Sequence, residues 1–150
     1  MEVAQKVERF LADLTEVEQI YSRLIELTRN QSRILQSGLS DAVLRFAQSK
    51  SAEMSRLDEV EPRMQEGRGF WRAQKLTVSS ADRARVEGAI ARVESVLREL
   101  VELEEEEQRI IARRRHETAA QIRRVDNARR LQSAYGSTVP DGVTRLDHRE

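Results

Sequence analysis

The chain offers few side chains able to do chemistry, and their spacing argues against catalysis. Its 150 residues include two histidines, His116 and His148. His116 sits in Arg113-Arg114-Arg115-His116-Glu117, a charged helical run. No second ligand lies at a zinc-like spacing, and the neighbouring guanidinium groups would repel a cation. The acidic run Glu104 to Glu107 is the other candidate, as a cation site or a carboxylate pair. Four consecutive side chains on a helix point in different directions, so this run reads as a solvated face. Cysteine is absent, which removes disulfides, thiol chemistry and Cys-type zinc sites. No nucleophile elbow, phosphate loop or dinucleotide-binding glycine pattern occurs. The sequence therefore predicts no catalytic residue, no cofactor and no metal site.

Charge layout is more informative. Lys+Arg and Asp+Glu each total 26, so the net charge is zero. Nonspecific binding to nucleic acid or to an anionic membrane normally needs a basic excess, so both partners fall in rank. Within the chain the charges separate. Glu99, Glu102 and Glu104 to Glu107 form an acidic block. Arg109, Arg113 to Arg115, Arg123, Arg124, Arg129 and Arg130 form a basic one. The basic block reads first as a solvated helix face, with Glu105 and Arg109 as an i,i+4 pair. It could instead meet nucleic acid or an acidic protein. A helix of this polarity could also pair antiparallel with itself, acidic block to basic block.

These charges must be carried by helices. The chain has 39% hydrophobic and 35% charged residues, with only 6 Gly and 2 Pro. That mixture suits long helices with a narrow apolar seam, and leaves too few turn residues for a sandwich or an α/β fold. The pattern predicts an all-α chain with helices at about 2–36, 41–66 and 80–135. In the first, Val3, Val7, Phe10, Leu14, Val17, Tyr21 and Leu24 alternate spacings of four and three, flanked by Leu11, Ile20, Leu27 and Ile34. Thr28 and Gln31 continue the seam as polar members, so packing is expected to loosen there. Gly38 suits a left-handed helix end, with Ser40 capping the next start. Pro62 is expected to kink or end the second helix. Phe70 and Trp71, beside Gly67 and Gly69, read as an anchor plugging the bundle end, with an exposed recognition spot as the alternative. Ser79 with Asp82 three residues on is a capping-box start for the last helix. That helix runs to Tyr135-Gly136, with Pro140 beyond. Residues 137–150 read as a flexible tail, which makes 1–136 the helical bundle.

Short connections make consecutive helices antiparallel. The last helix, roughly 80 Å long if unbroken, then outruns the other two. It either overhangs the bundle or folds back near the glutamate run. Ile122, Val125, Leu131 and Tyr135 are left without an obvious partner, and an unpartnered apolar stripe reads as a protein-binding surface. The same stripe could make a homodimeric coiled-coil scaffold. No apolar run reaches the length of a membrane span, and the N-terminus lacks the basic-then-apolar order of a signal peptide, so a cytoplasmic setting is expected.

The plan resembles the FlgN family of flagellar export chaperones. The likeness is carried by Ser37-Gly38-Leu39-Ser40-Asp41-Ala42-Val43-Leu44 before the second helix, by Lys50 and Leu57, and by the ending from Arg124 to Gly136. Arg145-Leu146-Asp147-His148-Arg149-Glu150 is similar to the family's terminal segment. The resemblance implies a small cytoplasmic chaperone that holds hook–filament junction (hook-associated) proteins before type III export. An amphipathic C-terminal region would do the holding, with the export apparatus as a further partner. Ile122, Val125, Leu131 and Tyr135 are the client-binding residues on that reading.

Overall fold

The computed structural model describes residues 2–136. The expected tail at 137–150, His148 and the terminal likeness at 145–150 lie outside the described residues. Among the described residues all regular structure is helical, in four helices: α1 Val3–Arg29, α2 Gln31–Ser37, α3 Ser40–Gln74 and α4 Ser80–Gly136. The chain divides into two compact units, residues 1–108 and 109–150.

In the first unit α1 supplies the spine of the core. Val7, Phe10, Leu14, Val17, Ile20, Leu24 and Ile25 are buried, joined by Val60, Met64 and Trp71 of α3 and by Val86, Ala89 and Leu100 of α4. Ion pairs around this core give the helix directions. Arg63 Nε reaches Asp13 at 3.1 Å, and Arg23 Nε reaches Glu53 at 2.9 Å, so α3 runs opposite to α1. Arg85 meets Glu8 at 2.8 Å and Arg29 meets Glu99 at 2.6 Å, so α4 starts out along α1. Glu53 is itself buried and also takes Arg56. Burial pushes its carboxyl pKa up, but hydrogen bonds and charge from Arg23 and Arg56 outweigh that and hold it below the usual carboxylate range.

Four expectations are corrected. The first helix is not continuous to 36, because the chain turns at Asn30. Packing does not loosen at the polar seam members: Thr28 is fully buried and Gln31 nearly so. Thr28 solves its burial locally, donating its hydroxyl to the Leu24 carbonyl at 2.8 Å. Gln31 Oε1 is buried without a partner. The second helix runs past Pro62 to Gln74. Proline deletes one helical hydrogen bond and crowds the preceding turn. Here Val60 and Met64 are locked into the core on either side, and Arg63 grips both Asp13 and Glu16. The cap before α3 is Leu39 rather than Ser40, while Gly38 does take the left-handed conformation, at φ 67°.

Gly67 explains why α3 continues through a glycine-containing stretch. A Cβ there would lie 2.8 Å from Phe10 Cε1 and closer still to Cδ1, so α3 can lie on the Phe10 ring only without a side chain at 67. Gly67→Ala is expected to destabilise by about 1–3 kcal/mol through overpacking, despite a helix-propensity gain of about 1 kcal/mol. Gly69 has nothing within 4 Å of its built Cβ. Gly69→Ala should therefore raise the melting temperature where Gly67→Ala lowers it. Equal shifts in thermal melts would contradict the close approach.

The turn into α4 is held by side chains bonded to its backbone. Arg83 Nε donates to the Lys75 carbonyl at 2.9 Å, satisfying a group at the end of α3. Ser79 Oγ accepts from the Asp82 amide at 3.1 Å, the expected N-terminal cap.

Candidate protein-binding surface

α4 carries two seams. On the first, Val86, Ala89 and Leu100 are buried, with Val93, Val96 and Leu103 packed against the cluster. Glu107 closes this row, its Oε1 taking the Ser32 amide at 3.1 Å. The second seam is offset by one residue, about 100° around the helix. Within the first unit it holds Leu97, Val101, Glu104 and Gln108. Its steps alternate four and three throughout, the spacing of a helix-pairing stripe. Leu97 is 38% exposed, Val101 47%, Ile122 57% and Val125 50%.

Leu131 and Tyr135 are also exposed, at 57% and 71%. They do not extend the stripe of Ile122 and Val125. Leu131 follows Ile122 by roughly two and a half turns, so it points about 180° away, and Tyr135 shares its side. The four expected site residues therefore make two pairs on different faces of α4. A seven-residue repeat followed loosely by eye hides this half-turn slip.

In the first unit an apolar groove open to solvent lies between α3 and α4. Met64 and Trp71 form one wall, Ile90 and Val93 the other, and Phe10 and Leu14 the floor, with Arg68, Arg72 and Glu94 on the rim. Trp71 is buried, its ring centroid 6.3 Å from that of Phe10. Phe70 is half-buried under the Lys6 ammonium, 5.9 Å from the ring centre. The pair is thus mainly an anchor, with Trp71 also bordering the groove.

His116 is exposed on α4. Among the described residues no group of His, Asp and Glu is placed to hold a metal ion, and no helix is long and apolar enough to cross a membrane. Around residues 109–130 the arginines are spread over every side of the helix, so no single face is basic.

No family model, curated protein or solved structure matches the chain.

By spacing alone, Val96, Leu97, Leu100 and Val101 could be grouped in one seam. The signal that separates them is the one-residue offset: Val96 and Leu100 continue the buried row, while Leu97 and Val101 start the exposed one.

Proposed function

We propose that this chain is a cytoplasmic export chaperone of the FlgN type, in which α1, α3 and the start of α4 form an antiparallel coiled-coil-like bundle. The rest of α4 holds a client, a hook–filament junction protein awaiting type III export. One observation carries the reading: Ile122, Val125, Leu131 and Tyr135 are half or more exposed on a long helix. Such side chains gain from burial against a partner helix, at about 25 cal/mol per Å² of apolar surface removed from water. The client would lay the apolar face of its own terminal helix across them, and each partner would shield the other from aggregation. Because the four residues occupy two faces, the client segment must wrap α4 or engage it with two helices.

The test uses the terminal segment of a hook–filament junction protein, titrated against the chain and its variants. Serine at all four positions is expected to weaken binding at least about 100-fold, since each lost apolar contact is worth about 1.5–3 kcal/mol when fully buried. The melting temperature should stay within a few degrees, as changes at exposed sites cost little. No binding by the unaltered chain, or a collapsed melting temperature in the variant, would sink the proposal.

A further inference from the structure

The groove of the first unit is walled by two helix rows of the same spacing. On α3, Met54, Leu57, Glu61, Met64, Arg68 and Trp71 alternate steps of three and four. On α4, Ile90, Glu94, Leu97 and Val101 do the same. Phe10 and Leu14 of α1 lie beneath, between the two walls. Lys50 meets Glu104 at 3.1 Å and ties α3 to α4 at one end of the groove. Along the walls Met54, Leu97 and Val101 are exposed, while Leu57 and Ile90 are only part-buried against the core. We infer that this groove seats an amphipathic helix of another protein, acidic along one flank and basic along the other, which completes a four-helix bundle with α1, α3 and the start of α4.

The rims specify the charges of the occupant. Arg68 and Arg72 stand on the α3 rim and Glu94 on the α4 rim. Arg68 is engaged by Glu61 at 2.9 Å. Arg72 and Glu94 have no ion-pair partner among the described residues. A helix lying in the groove sets one flank against each rim, so its apolar stripe must be bordered by carboxylates towards Arg72 and by a cation towards Glu94. Like charges facing each other across such a contact select against the wrong partner.

The same rims argue against a second copy of the chain as the occupant. Its own exposed apolar helical segment carries Arg113 to Arg115, Arg123, Arg124, Arg129 and Arg130, spread over every side. Laid in the groove, that segment would bring arginine against Arg68 and Arg72 in either direction. The size of the groove suits a helix of ordinary length. The row from Met54 to Trp71 spans about 25 Å along α3, which a helix of about 18 residues covers. Such a helix laid in a preformed apolar groove gains its affinity from anchors spaced three and four residues apart. The inference does not rest on the chaperone reading, whose client surface is placed at residues 122–135.

Trp71 borders the groove and is the one tryptophan of the chain, so its fluorescence reads occupancy in the full-length protein. The probes are three tryptophan-free helical peptides with the same leucine stripe. One has glutamate on one flank and lysine on the other, one has glutamate on both, and one has lysine on both. The mixed peptide should bind saturably and shift the Trp71 emission. Each of the others should bind at least about tenfold more weakly, a change of about 1.4 kcal/mol, because one of its flanks meets a like-charged rim. Glu94→Lys, which makes both rims basic, should turn the all-glutamate peptide into the tightest binder. Leu97→Glu, a charge placed in the apolar wall, should remove binding of the mixed peptide, while Leu39→Glu, at an exposed leucine outside the groove, should leave it unchanged. Circular dichroism checks that each variant is folded. Serine at Ile122, Val125, Leu131 and Tyr135 together should also leave the mixed peptide bound, which separates this site from the client surface. No binding of the mixed peptide, equal affinity for all three peptides, or loss of binding in the serine variant overturns the inference. So does a dimer of the unaltered chain that Leu97→Glu splits, which would give the groove to a second copy.

Discussion

Trp71→Ala is expected to destabilise the first unit by about 3–5 kcal/mol, the range for truncating a large aromatic in a core. For a unit of this size that lowers the melting temperature by roughly 10–20 °C. Trp71 is only 7% exposed and tilts against Phe10, which is 2% exposed. The lost ring would leave Phe10 and Met64 facing a space that α3 cannot close, because Arg63 ties that stretch of the helix to Asp13 and Glu16. Phe70→Ala is the internal control. Phe70 is half-buried, so it should cost less than about 2 kcal/mol. Adjacent residues on a helix point about 100° apart, and of the two only Trp71 is buried in the core. If the two alanine variants melt alike, Trp71 is not the anchor of this core.

That asymmetry shows what could be read from the residues alone. The spacing of Val7, Phe10, Leu14, Val17 and Leu24 announces the buried face of α1, and the structure buries all five. Gly38 and Ser79 mark helix ends through local chemistry that needs no tertiary context, and both act as expected. Pro62 and Gly67 mislead for the opposite reason. Each is a local helix breaker, but α3 continues through them, with long-range contacts on either side: Val60 and Met64 in the core, and Phe10 filling the space where a residue 67 side chain would stand. The turn at Asn30 carries neither glycine nor proline, only the weaker signal of the asparagine itself, whose side-chain amide donates to the Glu26 carbonyl at 3.1 Å. At the candidate surface, exposure of Ile122, Val125, Leu131 and Tyr135 was legible, since nothing of matching length can cover them. Their division between two faces was not. A half-turn slip accumulates over several turns, and it shows only when each residue is placed by angle rather than by spacing from its neighbour.

A chain ended after Gln108 is expected to keep its fold and lose client binding. Among the described residues every buried apolar side chain lies between Val7 and Leu100, so the shortened chain retains the whole core. It also keeps the pairs that bind α4 to α1 and α3, from Glu8 with Arg85 to Lys50 with Glu104. Two smaller costs follow from the new terminus. The last helical turn would fray, loosening the Glu107 contact with Ser32, worth about 1 kcal/mol. Glu104 to Glu107 would also sit at a helix C-terminus, where the backbone dipole disfavours negative charge by about 0.3–1 kcal/mol. A chain ended after Arg115 removes both costs, because Arg109 and Arg113 to Arg115 then occupy the final turns with the favourable sign. The longer truncation should therefore melt higher than the shorter, and both should melt within several degrees of the full chain. Each lacks Ile122, Val125, Leu131 and Tyr135, so each should fail to bind the client segment. Retained client binding in either would place the client surface within residues 1–115, and would turn attention to the groove between α3 and α4, which both truncations leave whole.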